Sequence, residues 1–119
     1  MIKNGKSTIK VNVEIADDNQ ERAKGLMFRE HLDTNNGMLF IFDNEDYKTF
    51  WMKNTLIPLD MIFIDKEYKI VEIKRAVPCE KDPCKLYPSS KPAKYVLEVN
   101  GNFTIGNNVK IGDKIIVNQ

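Results

Sequence analysis

With a single histidine, His31, among its 119 residues, the chain has little capacity for imidazole chemistry. A Ser-His-Asp hydrolase would have to take His31 as its base. A zinc centre would have that one ring and the two cysteines Cys79 and Cys84 to draw on. Four residues separate the cysteines, so they lack the C-x-x-C spacing of thiol-redox enzymes. Phosphate-cradling glycine loops, nucleophile elbows and H-E-x-x-H are absent too, so no catalytic residue, metal or cofactor is assigned. Charge of one sign is also missing: 18 basic residues face 17 acidic ones, which removes the usual footprint of nucleic-acid binding. Nor is there a long apolar run. Met1 to Lys6 has a basic flavour, but Thr8 to Ile15 alternates, so neither a signal peptide nor a membrane span is visible. A cytoplasmic protein is the simpler expectation, the alternative being the mature part of an exported one whose leader has been removed.

What is present is ordinary globular material. Hydrophobic residues at 42% and charged ones at 29% suit one domain over residues 1–119, expected to be a monomer. At this length folding buries roughly two-thirds of the chain's surface, enough for one core. Lys6 to Ile15 alternates, with Ile9, Val11, Val13 and Ile15 on one side, as a half-buried strand does. Asp17 to Arg29 changes to a helical period. Asp18 and Glu21 have capping-box spacing, Ala23, Leu26 and Met27 form the apolar stripe, and Arg22 and Arg29 share a face. Gly25 inside this helix implies either a close neighbour or a helix about to end. Further strands are expected at Met38–Phe42, Tyr47–Lys53, Met61–Ile64, Tyr68–Lys74, Tyr95–Val99 and Lys114–Val117. Asn44 to Asp46 reads as a polar connector, and Val77 to Pro92, with four of the five prolines and both cysteines, as a long ordered loop. About seven short strands and one helix argue for a mainly β (α+β) domain, a sandwich or barrel with the helix laid against it.

Three blocks stand out together: Glu21-Arg22-Ala23-Lys24-Gly25-Leu26-Met27-Phe28-Arg29, Gly37-Met38-Leu39-Phe40-Ile41-Phe42, and Phe50-Trp51-Met52-Lys53-Asn54-Thr55 running on to Asp65. With Tyr87-Pro88-Ser89, Tyr95 to Asn100 and Gly112-Asp113, they make the chain resemble the domain of unknown function 192 family, also called uncharacterised protein family 0127. The likeness spans about residues 9 to 117. Gly101-Asn102-Phe103 stands where relatives often have Ala-Gly, and Tyr68 stands where many have a turn glycine. The resemblance implies a compact β-rich domain, often exported in bacteria, with no agreed activity.

In an extended Phe50 to Thr55, Trp51, Lys53 and Thr55 point one way. Trp51 with Lys53 would make an aromatic wall beside a cation, suited to a small polar or sugar-like ligand, unless Trp51 is core and Lys53 snorkels along it. Asn54 and Asp60 flank Pro58, either as ligand-orienting groups or as turn formers. Arg22 and Arg29 either clamp an anion or pair with Asp60 or Glu98, tying helix to sheet. Glu98 lies in an otherwise apolar strand, and the plain reading turns it to solvent. Cys79 and Cys84 are read first as a loop-pinning disulfide. The methionines Met27, Met38, Met52 and Met61 are read as core. The leading expectation is therefore a small-molecule-binding domain with its site at Trp51, Lys53, Asn54 and Asp60. Its rivals are an enzyme with Lys53 and Asp60 in one cavity, or an interaction module presenting the Val77–Pro92 loop as a flat apolar patch.

Overall fold

The computed structural model describes residues 1–5 and 7–117, so Lys6, the expected start of the first strand, lies outside the described residues. The fold is mostly β. Its centre is a five-stranded sheet of order β3-β4-β9-β6-β7: β3 Asn12–Ala16, β4 Asn36–Asp46, β9 Ala93–Asn100, β6 Leu59–Ile64 and β7 Ile70–Ala76. On one face lies a three-stranded sheet of β1 Ile2–Asn4, β2 Ser7–Ile9 and β10 Lys114–Ile115. On the other lies a ribbon of β5 Thr49–Trp51 and β8 Leu86–Pro88. Among the described residues the strands close no barrel.

Two hydrophobic layers hold the sandwich. Met38, Phe40, Met61, Phe63 and Val96 pack with Met52, Tyr87 and Leu26 on the ribbon face. Leu39, Ile62, Ile64, Leu97 and Val99 pack with Ile2, Phe103 and Ile115 on the other. The pleat sends neighbouring residues of one strand into different layers, and for that reason all six residues of β6 are buried. The parallel pairing of β3 with β4 needs a crossover, and the helix α1 (Asn19–Lys24) supplies it. The Asp18 carboxylate accepts the Glu21 amide at 2.7 Å, and the Glu21 carboxylate reaches back to the Asp17 amide.

Several boundaries differ from the sequence expectation, each for a physical reason. The first strand splits in two. β1, β2 and β10 form one sheet, while β3 becomes an edge of the central sheet with Val13 and Ile15 exposed. The helix stops at Lys24 because Gly25 adopts φ +49, so Arg29 sits in the following turn and shares no helix face with Arg22. Gly25 meets both of its expected reasons, since an added Cβ there would lie 3.2 Å from the Phe40 ring. β4 runs through the expected connector to Asp46, with an irregularity in its pairing to β9 between Ile41 and Asp46. The expected long loop contains β8, whose Tyr87 pairs with Phe50. A short helix, α2 (Phe103–Gly106), occupies the turn-rich stretch after β9.

Candidate functional site

The Phe50-to-Asp60 stretch does turn a corner, but it divides its polar groups between the two faces of the sheet. Phe50 is pinned inward by edge-to-face contacts with Phe40, Phe42 and Phe63, at centroid distances of 5.2, 6.2 and 6.1 Å. Alternation then turns Trp51 outward, where 46% of it stays exposed, so the core reading of Trp51 does not describe this ring. The Lys53 ammonium lies 5.3 Å from the Trp51 ring centroid, as expected for the aromatic wall and its cation. Asn54 is an exposed turn residue at φ +57, and its carbonyl accepts the Phe28 amide at 2.7 Å. That bond ties the turn after α1 to the corner after β5.

Asp60 goes elsewhere. It lies in the layer of Ile62 and Phe103, 1% exposed, and accepts from Arg75 Nε at 2.9 Å, Thr104 N at 2.9 Å, Thr104 Oγ1 at 2.7 Å and Asn102 N at 3.3 Å. It fastens α2 to the sheet and does not share a cavity with Lys53, which removes the geometry of the Lys53/Asp60 enzyme reading. The arginines find partners other than those anticipated. Arg29 makes a two-pronged pair with Glu14 of β3, neither Asp60 nor Glu98, and thereby joins the turn after α1 to the sheet edge. Arg22 donates to the Ile41 carbonyl at 2.7 Å and to Asn19 Oδ1 at 2.8 Å, with its guanidinium 5.3 Å from the Phe42 ring centroid.

A cavity of about 270 Å³ opens where α1 and its turn face the ribbon. Arg22 to Met27 form one wall, Thr49 to Trp51 with Thr55 the opposite one, Phe40 and Phe42 the back, and Glu98 the floor. Glu98 does not face solvent as its plain reading had it. On β9, between β4 and β6, it stands opposite Met38 on one side and Met61 on the other, and only 4% of it is exposed. Burial pushes its carboxyl from the ordinary 4.5 to about 8. Among the described residues no side chain or amide donates to it. Because no sealed side-chain oxygen lacks a partner, its carboxyl must reach the open space of the cavity. The backbone at this point is held tightly, since an added Cβ on Gly37 would come within 2.5 Å of the Glu98 carbonyl oxygen.

Sequence reasoning named Trp51, Arg22 and Glu98 but missed the aromatic back wall of Phe40 and Phe42 and the role of Thr55. A usable signal existed. Val96-Leu97 and Val99 are apolar on both faces, the mark of a central strand, and an acid inside such a run is buried whichever way it points. Cys79 and Cys84 lie at disulfide distance, Cα atoms 5.4 Å apart, and fasten the base of the loop before β8. Met38, Met52 and Met61 are buried in the core layer, whereas Met27 is half-buried on the cavity wall. No helix among the described residues is long and apolar enough to cross a membrane.

This is a β-rich domain with a small acid-floored cavity beneath an exposed indole. A family profile described as "Uncharacterized ACR", domain of unknown function 192, matches residues 1–117, and the chain belongs to that family. A UPF0127 protein of Thermococcus sibiricus is 31% identical over 105 residues, which are 87% of this chain and 64% of that protein. The chain thus spans slightly less than two-thirds of that relative's length. A UPF0127 protein of Pyrococcus abyssi is also 31% identical, over 87% of this chain and 83% of its own. Two solved structures share the fold at 39% identity. One is a Novosphingobium aromaticivorans protein of unknown function (TM-score 0.83, 90% of this chain, 75% of that one). The other is a Sinorhizobium meliloti protein described as a candidate transcription regulator (TM-score 0.80, 86% and 78%).

Proposed function

We propose that this domain binds a small molecule which brings a hydrogen-bond-donating head, an ammonium or hydroxyl, to Glu98 at the floor of the cavity under Trp51. The observation that carries the reading is an unpartnered acid, 4% exposed, at the bottom of a cavity walled by Phe40, Phe42, Phe50 and Trp51. A carboxyl that takes no hydrogen bond from the protein and opens on a small cavity keeps its bonding capacity for whatever enters that cavity, and a ligand donor can use it. The aromatic walls suit a cation or an apolar body equally. Lys53 stays beside the Trp51 ring, but neither it nor Asn54 is among the residues lining the cavity, and Asp60 belongs to the scaffold in the opposite layer.

The test is calorimetric titration with n-butylamine, n-butanol and butyrate at pH 6 and pH 9. Ionised Glu98 is the form that attracts an ammonium, and it rises from roughly 1% to 90% of the folded protein over that interval. Butylamine binding should tighten by roughly 50-fold or more. Glu98→Gln should remove that dependence, and at pH 9, where Glu98 is mostly ionised, butyrate should be the weakest of the three. Equal affinity for all three, or a pH dependence that survives in Glu98→Gln, would refute the reading.

A further inference from the structure

The loop between β7 and β8 gathers a different set of reactive groups, none of them in the Glu98 cavity. The sulfurs of Cys79 and Cys84 and a carboxylate oxygen of Asp82 all lie within 4.8 Å of one another. Asp82 Oδ1 stands 3.6 Å from Cys84 Sγ, and the Lys81 carbonyl oxygen stands 3.5 Å from Cys79 Sγ. Each sulfur thus has an oxygen beside it. With the sulfurs bonded to each other, neither carries a proton to donate, and among the described residues Asp82 makes no ion pair. Its carboxylate therefore faces a sulfur that offers it no hydrogen bond. The surroundings hold these groups in place. The Val77 amide donates to the Tyr87 hydroxyl of β8 at 3.2 Å, and Cys79 packs against the layer of Met52 and Tyr87. Opening the bond leaves the two sulfurs near each other, on Cα atoms 5.4 Å apart.

We infer that the reduced loop is a binding site for a thiophilic divalent metal ion of the zinc class, held by Cys79, Cys84 and Asp82, and that the disulfide is the closed form of this site. A dithiol reductant opens it: two hydrogen atoms pass to the Cys79–Cys84 bond, which becomes two thiols, and the reductant is itself oxidised to a disulfide. The metal then bonds to both sulfurs and releases their two protons to solvent. Thiolate and carboxylate are both ligands that zinc accepts, and three protein ligands leave its fourth position to water or to the Lys81 carbonyl. Tetrahedral Zn–S bonds of about 2.3 Å put the sulfurs roughly 3.8 Å apart, a separation that side-chain rotation reaches from these Cα positions. Calcium and magnesium, which take oxygen ligands, do not suit the pair of sulfurs.

The experiment titrates cadmium into the whole chain after reduction with a dithiol, which gel filtration under argon then removes. Cadmium should raise a thiolate-to-metal charge-transfer band in the ultraviolet that saturates at one ion per chain, and excess zinc should displace it. Asp82→Asn, a change at an exposed position, should weaken cadmium binding by about tenfold or more, since losing even an outer partner of a metal site costs that much. The oxidised protein should give no band. Far-ultraviolet circular dichroism follows the fold throughout, and if reduction unfolds the chain, the metal should refold it. No band in the reduced protein overturns the inference, as does unchanged affinity in Asp82→Asn or a reduced, unfolded chain that the metal does not refold. Equal cadmium binding by the oxidised protein overturns it too, and assigns the metal to carboxylates such as Asp17, Asp18 and Glu21.

Discussion

The buried carboxyl makes a quantitative demand on stability. In the unfolded chain Glu98 releases its proton near 4.5, whereas in the folded chain burial holds the proton until about 8. Each tenfold change in proton affinity is worth about 1.4 kcal/mol, so ionising this group in place opposes folding by on the order of 5 kcal/mol. The sign follows from which state keeps the proton. Below pH 4.5 both states are protonated and the penalty is absent. As the pH rises the unfolded chain ionises first, so stability falls, by about 3 kcal/mol at neutrality, and the full penalty is present above pH 8. Urea unfolding followed by far-ultraviolet circular dichroism at pH 5, 7 and 9, on the parent and on Glu98→Gln, isolates this group because all other titrations cancel in the difference. The variant should be within about 1 kcal/mol of the parent or less stable at pH 5, since its amide also lacks a partner. At pH 9 it should be several kcal/mol more stable. A parent-to-variant difference that stays constant within about 1 kcal/mol from pH 5 to pH 9 would show that Glu98 is not a desolvated, unpaired acid, and the ligand reading would lose its foundation.

Other outcomes follow from the same structure. Asp60→Ala should destabilise by about 2–3 kcal/mol in denaturant titrations, because it strands the buried Thr104 amide and hydroxyl under α2, whereas the exposed Arg75 can turn to water. Trp51→Ala should lower stability by only about 1–2 kcal/mol, less than a fully buried indole would, because nearly half the ring is already in water. Its binding of butylamine should weaken more than its fold does, since Trp51 lines the Glu98 cavity. Thiol titration of the denatured, unreduced protein should find no free thiol. Reduction should then lower stability by about 2 kcal/mol, the loop-closure contribution for so short a loop. Gly37→Ala should destabilise by about 1–3 kcal/mol as measured by thermal unfolding, since the added carbon runs into the Glu98 carbonyl.

How much of this was legible beforehand varies by element. β6 and β9 were evident because their residues are apolar at successive positions, which only a strand covered on both faces tolerates. The cap of α1 was readable because Asp18 and Glu21 act within four residues of each other. The extent of α1 was not, because Gly25 permits either continuation or a stop, and contact with Phe40 decides. β8 was read as loop because its prolines and cysteines look like turn chemistry. It forms a strand only by borrowing the edge of β5. Tyr68 occupies a φ +64 turn position favoured by glycine, where stacking on Tyr95 at 4.9 Å accompanies it, a pairing of residues far apart in the chain.

Alone, then, the sequence determined family membership, a mainly β architecture and the character of its core strands, because these depend on residue type, order and local period. Tertiary structure decided the site. Glu98 is buried because β4 and β6 place Met38 and Met61 beside it, Asp60 is drawn to the opposite layer by the pleat, and Arg29 meets a strand edge fifteen positions earlier in the chain. Such pairings depend on which strands become neighbours, and the packing of the whole sheet settles that, not any local run of residues.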